Sequence, residues 1–218
     1  MTRAIIIANG ELNFSASLID IIQPEDLIIA ADGGALHCRS LGISPHVVIG
    51  DFDSLGYEDQ QTLEAGGVQM IRYPRHKDET DLELAFQYAL DQGCQHITVI
   101  GALGARWDMS LANLLLAANP SFAGLQVHLI DCHQELILLR GGESLTLHGN
   151  PGDTLSLIPL TPQAEGITTQ GLEYPLRGEA LIFGSPRGVS NVFVADSASV
   201  SLTAGLLICV LIRNGGVG

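Results

Sequence analysis

The chain has 218 residues, of which 46% are hydrophobic and 16% are charged, and this composition excludes disordered, collagen-like and coiled-coil proteins. Its 24 acidic residues outnumber 10 basic ones and give a formal net charge of −14, so we expect neither nucleic acid nor an anionic membrane surface as a partner. The length allows one large globular domain, or a main domain with a small companion.

The first 130 residues or so alternate short apolar runs with segments of helical period, which is typical of β-α units around a parallel sheet. The predicted strands are Ala4–Ala8, Leu27–Ala31, Val47–Ile49, Val68–Ile71, Ile97–Ile100 and Val127–Ile130. One helix is predicted from Leu82 to Leu90, where apolar residues follow the helical period and Thr80 and Glu83 form a capping-box pair. A second apolar helix contains Leu111 and ends before Pro120.

From about residue 133 the helical period gives way to short alternating segments separated by Gly, Pro and Asn. The predicted strands are Glu143–Leu147, Thr154–Ile158, Gly166–Thr169, Leu181–Phe183, Asn191–Val194 and Ser199–Leu202. We therefore expect an α/β protein in which an N-terminal Rossmann-like domain with a mostly parallel sheet, residues 1–132, precedes a small antiparallel β-sandwich domain, residues 133–218. No flexible linker separates the two domains.

The spacing of the four cysteines favours a protein of a reducing compartment. The cysteines are Cys38, Cys94, Cys132 and Cys209. Their spacing contains neither a C-x-x-C pair nor a disulfide framework, so we expect reduced thiols. The apolar run at the N-terminus is too short for a signal peptide, and the longest apolar run, residues 206–212, is too short to span a membrane. Together these features favour a cytoplasmic protein.

Acidic and glycine-rich segments follow four of the predicted parallel strands, at the sheet edge where ligands bind in such folds. These segments are residues 31–35, 50–54, 77–81 and 101–108. Asp51 and Asp53 are two apart on an extended chain, so both can face one hard divalent cation, and Asp78 and Asp81 can share a face at a helix start. A single Asp-x-Asp motif is part of a turn or a helix cap as often as it is part of a metal site. Three acidic clusters together favour Mg²⁺ that bridges to substrate phosphates.

Two glycine pairs and two cations extend this hypothesis. Gly33-Gly34 and Gly101-x-x-Gly104 let backbone amides approach phosphates, although glycines also end strands for steric reasons. Neither G-x-G-x-x-G nor G-x-x-x-x-G-K-[ST] occurs, which argues against a dinucleotide site and a P-loop. Lys77, the one lysine, and Arg106 are the candidate phosphate cations, although such residues are ordinarily solvated surface charges.

In this order and spacing, the motifs resemble those of the thiamine pyrophosphokinase family. They are Gly50-Asp51-Phe52-Asp53-Ser54, Lys77-Asp78-Glu79-Thr80-Asp81, Gly101-x-x-Gly104-x-Arg106-x-Asp108-x-x-Leu111-Ala112-Asn113 and Arg187-Gly188-Val189-Ser190-Asn191. The resemblance implies transfer of the pyrophosphoryl group of ATP to the hydroxyl of thiamine, giving thiamine diphosphate and AMP, with Mg²⁺. It also implies a catalytic α/β domain, a β-sandwich that binds thiamine, and a homodimer with active sites at its interface.

The same resemblance implies roles for individual residues. Asp51, Asp53 and Asp81 would hold the metal, with Asp32 and Asp78 close by. The nucleotide side would be lined by Gly33, Gly34, Lys77, Gly101, Gly104, Arg106, Asp108 and Asn113, while Ser190 and Asn191 would contact thiamine across the dimer interface. Lys77 and Arg106 would offset phosphate charge, and Asp78 and Asp81 are both candidates to accept the hydroxyl proton.

The chain departs from the family pattern at three positions. Ala105 and Met109 stand where the family commonly has Gly and His, and Ile208 falls near the position of a tryptophan that stacks on thiamine in animal and fungal members. Two alternatives therefore stay open. A haloacid-dehalogenase-like phosphohydrolase also places Asp-x-Asp after a strand, although it needs a covalent aspartyl phosphate and a late acidic pair. A thiamine- or nucleotide-binding protein without catalysis would explain Ala105 and Met109.

Overall fold

The computed structural model describes residues 2–12, 17–104, 106–131 and 133–214. Backbone contacts divide the chain into two units, Met1–Asp131 and Cys132–Gly218. Among the described segments, none of the helices combines the length and the apolarity that a bilayer crossing requires.

The first unit alternates strands and helices. Its strands are β1 (Thr2–Ile7), β2 (Leu27–Ala31), β3 (Val47–Gly50), β4 (Gln69–Arg72), β5 (Cys94–Ile100) and β6 (Gln126–Ile130). Its helices are α1 (Ser17–Asp20), α2 (Gly34–Ser40), α3 (Tyr57–Ala65), α4 (Asp81–Asp91) and α5 (Trp107–Leu116), followed by a 3-10 helix at Pro120–Phe122. The six strands pair in parallel in the order β6-β5-β1-β2-β3-β4. The predicted parallel α/β arrangement is confirmed.

The core of this unit lies between the sheet and its helices. Ile5 and Ile7 of β1 and Val48 of β3 are buried, as expected for apolar strands covered on both faces. Helix α4 buries the predicted stripe that includes Phe86, whose ring meets Phe122 edge-to-face at 5.4 Å between centroids. In α5, Asn113 is the buried side chain, whereas Leu111 and Leu115 are exposed.

The second unit consists of antiparallel strands, as predicted. They are β7 (Gln134–Arg140), β8 (Ser144–His148), β9 (Thr154–Pro159), β10 (Gln163–Gln170), β11 (Arg177–Ile182), β12 (Asn191–Val192), β13 (Ser197–Ser201) and β14 (Leu206–Ile212). They pair in two sets, β12-β9-β14-β7 and β11-β10-β13-β8. Leu155 and Leu207 from the first set share one core with Ile167 and Val200 from the second.

Candidate functional site

A cavity of about 1000 Å³ opens at the carboxyl ends of the strands of the first unit. Strands β2 and β5 lie on opposite sides of β1, so the order in which strands are added to the sheet reverses at β1. Such a reversal leaves a crevice at the carboxyl ends of the strands. Backbone N–H groups of Ala8 and Gly10 donate to the carbonyls of Ile100 and Gly101, each at 2.8 Å, and join the loops after β1 and β5. The predicted residues that line the cavity are Asp32, Asp51, Lys77, Asp81, Gly101, Gly104, Arg106 and Asn113.

Three carboxylates converge at one end of the site. Asp32, Asp51 and Asp53 each offer one oxygen, and these oxygens lie within 4.8 Å of one another. Asp32 is 7% exposed and has a backbone φ of +43°, a left-handed conformation that strains a residue with a side chain. Among the described residues, its Oδ1 atom has no hydrogen-bond partner. A buried, unpaired carboxylate oxygen facing two further carboxylates fits a hard divalent cation, because such ions prefer clustered oxygen ligands.

Gly50 makes the approach of the two acidic loops feasible. A Cβ atom at this position would lie 2.9 Å from the Cβ of Asp32, closer than real Cβ contacts come. The Asp53 N–H donates to Asp51 Oδ1 at 3.0 Å, so the loop also turns back on itself. The sequence motif Gly-Asp-x-Asp therefore places its glycine where the backbone lies against Asp32.

Asp81 lies beside this cluster and is paired with a lysine. Lys77 Nζ donates to Asp81 Oδ1 at 2.6 Å, and the Lys77 side chain is 12% exposed. Burial raises the pKa of Asp81; the Lys77 hydrogen bond and charge oppose this rise, and the negative charges of Asp32 and Asp51 add to it. The predicted metal set therefore divides: Asp51 and Asp53 converge with Asp32, whereas Asp81 lies outside that group and is paired with Lys77.

The start of α4 determines where Asp81 lies. Thr80 caps the helix by accepting a hydrogen bond from the Glu83 N–H at 3.1 Å, so Asp81 is the first helical residue. Asp78 precedes the cap, is exposed and does not line the cavity. Of these two residues, which were expected to share a face at the helix start, Asp81 alone lines the cavity in this structure.

The loop after β5 forms the opposite wall. Asn113 donates from Nδ2 to the Ala102 carbonyl at 2.7 Å and joins α5 to this loop. Arg106 and Asp108 form an exposed, two-point ion pair; this hydrogen bonding lowers the pKa of the Asp108 carboxyl. Met109 lines the cavity, and Ala105 lies outside the described residues.

The glycine pair after β2 has a packing role in this structure. Gly33 and Gly34 do not line the cavity. A Cβ on Gly33 would lie 2.4 Å from the Asn9 side chain, and one on Gly34 would lie 2.0 Å from the carbonyl oxygen of Ile7. These residues let α2 begin directly against the end of β1.

Several further polar residues of the cavity were not selected from the sequence, and Arg75, His37 and Asn9 are among them. Arg75 has its Nη2 atom 3.5 Å from Asp53 Oδ2, and His37 Nε2 lies 2.9 Å from the Gly10 carbonyl oxygen. Asn9 borders the same space. Arg75 could have been found by its position two residues before Lys77. Nothing in the sequence distinguishes His37 from the other histidines.

The two predicted residues of the second unit differ in what they contact. Ser190 is exposed, has a φ of +62°, and its N–H donates to Ser156 Oγ at 3.0 Å. Asn191 uses its amide internally: Oδ1 accepts from the Tyr174 N–H at 3.0 Å and Nδ2 donates to the Tyr174 carbonyl at 2.7 Å. Ile208 is buried within β14.

Family models match both units. The model described as "Thiamin pyrophosphokinase, catalytic domain" matches residues 18–129, and the model described as "Thiamin pyrophosphokinase, vitamin B1 binding domain" matches residues 143–207.

Similar proteins have the same name in bacteria and plants. A thiamine pyrophosphokinase of Bacillus subtilis is 28% identical over 205 residues, covering 94% of this chain and 96% of the relative. Thiamine pyrophosphokinase 1 of Oryza sativa is 24% identical over 198 residues, covering 87% of this chain and 73% of the relative.

Solved structures have the same fold. The Bacillus subtilis thiamine pyrophosphokinase structure superposes with a TM-score of 0.86 at 25% identity, covering 98% of this chain and 100% of the other. A thiamin pyrophosphokinase family protein from Enterococcus faecalis superposes with a TM-score of 0.81 at 27% identity, covering 97% and 99%.

Proposed function

This chain belongs to the thiamin pyrophosphokinase family, and we infer from this that its cavity catalyses the reaction of that family, the formation of thiamine diphosphate from thiamine and ATP. The enzyme is a diphosphokinase, a transferase that moves a diphosphate group from ATP and releases AMP. The observation that carries the assignment to this cavity is the convergence of Asp32, Asp51 and Asp53, of which Asp32 and Asp51 line the cavity together with Lys77.

We propose that Mg²⁺ is held by Asp51 and Asp53, with Asp32 as the third carboxylate. The unpartnered Oδ1 atom of buried Asp32 supports this set. A bound Mg²⁺ would neutralise phosphate charge and orient the triphosphate. Asp81 stays a proposed ligand, one that becomes free when Lys77 turns from it to a phosphate oxygen.

The side chains around the cluster would bind and orient the substrates. Lys77, Arg106 and Arg75 all line the cavity and can contact phosphate oxygens, which offsets the charge on the transferred group and on AMP. Positioning the alcohol in line with the β-phosphorus is the main remaining task. Of the two candidate proton acceptors, Asp81 lines the cavity and Asp78 does not, which favours Asp81.

The nucleotide would lie along the loop after β5. Gly101 and Gly104 line the cavity, and Asn113 holds the Ala102 carbonyl. Asp108 would orient Arg106 through their two-point pair. Gly33 and Gly34 would act indirectly, because they let α2 pack against β1 next to Asp32.

We propose a homodimer in which Ser190 and Asn191 of the partner subunit contact thiamine. Exposed Ser190 has a free surface for such a contact, and Asn191 also holds the loop at Tyr174 through its amide. The exposed apolar side chains of α5 support burial against a second copy.

We also propose a Rossmann-like class for the first unit, from its strand order. A cytoplasmic location is proposed as well, in keeping with the free thiols of Cys38, Cys94 and Cys209.

The test is product analysis with the purified protein, ATP, Mg²⁺ and thiamine. We expect thiamine diphosphate and AMP in equal amounts. ADP as the nucleotide product would indicate an ordinary kinase, and hydrolysis of a generic phosphate ester without thiamine would indicate a phosphohydrolase. Binding of thiamine or ATP without turnover would indicate a binding protein.

A further inference from the structure

The residue between the two aspartates has an unusual backbone conformation. Phe52 has a φ of +65°, in the left-handed region that residues with large side chains rarely adopt, and it is almost fully buried. The conformation of Phe52 determines the directions in which the side chains of Asp51 and Asp53 project from the backbone. Such a conformation persists only when neighbouring groups hold it.

Arg72, the last residue of edge strand β4, holds this loop from one side. Its guanidinium carbon lies 4.6 Å from the centroid of the Phe52 ring, and Nη1 donates to the Asp51 carbonyl at 2.8 Å. The strand pairing fixes where Arg72 begins, since it lies opposite Gly50 in the β3–β4 register. One arginine therefore contacts the ring of Phe52 and the backbone just before it.

Gln60 on α3 holds the same loop through further hydrogen bonds. Its Nε2 atom donates to the Leu55 carbonyl at 2.9 Å and to the Phe52 carbonyl at 3.5 Å. Its Oε1 atom accepts from Arg72 Nη2 at 2.8 Å, so the two side chains also bind each other. Together they satisfy carbonyls at three positions of the 51–55 loop.

Neither Arg72 nor Gln60 lines the cavity, so a direct contact with substrate does not explain their positions. We propose that Arg72 and Gln60 are positioning residues that hold Phe52 in its left-handed conformation, which brings the carboxylates of Asp51 and Asp53 to Asp32. The proposal rests on the proposed metal-binding role of these three aspartates. The planar guanidinium is needed because it stacks on the ring and forks to two acceptors, which an ammonium group cannot do.

Mn²⁺ binding to the nucleotide-free protein, measured by calorimetry, tests this proposal separately from turnover. We expect Arg72→Met to weaken Mn²⁺ binding by about 10- to 100-fold, the range found when residues that orient metal ligands are removed. Gln60→Met should weaken it in the same direction, and Arg72→Lys should not restore it. In turnover assays the Mg²⁺ concentration for half-maximal rate should rise, while kcat at saturating Mg²⁺ changes less.

Arg39→Met is the matched control, because Arg39 of α2 pairs with Asp59 of α3, the helix that carries Gln60, and has no hydrogen bond to the 51–55 loop among the described residues. Its Mn²⁺ affinity should equal that of the wild type, and its thermal unfolding temperature shows the cost of losing an arginine that pairs with α3. Unchanged Mn²⁺ affinity in folded Arg72→Met and Gln60→Met would overturn the positioning role alone. Absence of Mn²⁺ binding by the wild type would overturn both this role and the metal site. Mn²⁺ binding without thiamine diphosphate formation would count against the proposed function only.

Discussion

At the scale of single residues, Asp32 combines several features that lower the stability of the folded protein. It is buried, its backbone is left-handed, and its carboxylate faces two others. The backbone conformation is strained, and the other two features destabilise the metal-free protein because like charges repel and buried charges lose hydration. A cation among the three oxygens would offset these electrostatic costs.

We predict that Asp32→Asn makes the metal-free protein more stable while it weakens metal binding. Removing one of three neighbouring charges should raise the unfolding free energy by about 1–4 kcal/mol, the Coulomb energy of a pair of charges some 4 Å apart at effective dielectric constants between those of water and of the protein surface. Thermal melts in EDTA and Mn²⁺ titrations measure the two effects.

Asp91→Asn is the control for this prediction, since it removes a carboxylate at the exposed end of α4, away from the cluster. It should leave both the unfolding temperature and Mn²⁺ affinity near those of the wild type. A metal-free Asp32→Asn protein that melts below the wild type would show that the three carboxylates do not repel one another appreciably.

Sequence reasoning found part of this site because parallel strands end at one edge of the sheet. Asp32, Asp51 and Lys77 follow different strands, and the fold brings them to one cavity. Arg75 and Arg72 were missed because no motif sets them apart from the other arginines in the sequence. Their contacts with Asp53 and Phe52 exist only after folding. The left-handed conformation of Phe52 has no sequence signal at all, since phenylalanine does not favour it.

At the scale of elements, short apolar runs and the helical period predicted the first unit correctly. The six predicted strands of the first unit are present, and α4 begins at the predicted cap. Strands β7 and β14 were not predicted, because the strand predictions after residue 133 rest on alternation, whereas these two strands contain continuous apolar runs, LILL and LLICVLI. Helix α3 was also missed, since it buries none of its residues and so has no apolar stripe.

The segment that precedes β2 is joined to β1 by an ion pair. Arg3 donates to both oxygens of Asp26, at 2.9 and 2.6 Å, and Asp26 also accepts from the Gln23 N–H at 2.7 Å. Burial would raise the pKa of Asp26, but the hydrogen bonds from Arg3 and Gln23 and the charge of Arg3 outweigh it, so the pKa lies below its ordinary value.

We predict that Asp26→Asn destabilises the protein by about 2–4 kcal/mol at neutral pH, because it leaves a partly buried arginine without its partner. A lowered folded-state pKa means that this stabilisation is complete above the ordinary aspartate pKa and is lost as the pH falls through the folded value. Urea unfolding should therefore show a wild-type advantage that is full above about pH 4 and shrinks below it. An advantage that is independent of pH would contradict the ionic origin.

The junction of α2 with β1 gives a second prediction at this scale. Gly34→Ala should destabilise the protein by about 1–3 kcal/mol, because its methyl group would overlap the Ile7 carbonyl oxygen. Gly124→Ala is the control, since a Cβ there meets no atom within 4 Å. Chemical denaturation compares the two, and equal stabilities would show that α2 can move away from β1 at little cost.

At the scale of the whole molecule, each unit has its own hydrophobic core. Backbone contacts divide the chain after Asp131, and the periodicity of the sequence changes at about residue 133. The sequence pattern predicts an apolar helix at α5, but it does not predict that the apolar face of this helix is exposed. Trp107, Leu111 and Leu115 are four residues apart, so they lie on one face of the helix, and they are 85%, 57% and 47% exposed.

We predict that this face is covered in a homodimer. Light scattering should give twice the chain mass of 23.1 kDa for the wild type, and the double variant Trp107→Ser, Leu111→Gln should shift the mass toward the monomer at low concentration. Tyr57→Ser, which removes another exposed aromatic side chain from α3, should stay dimeric. A wild-type protein that is monomeric at micromolar concentration would contradict the prediction.

The single lysine of the chain gives this protein a built-in chemical reporter. A reagent that acylates amines finds one lysine side chain among 218 residues, and that side chain lies on the wall of the cavity against Asp81. The rate at which Lys77 is modified therefore reads out how its surroundings respond to each ligand, without any engineered label. Mass spectrometry of acylated peptides can rank nucleotides and metals by the protection that they confer.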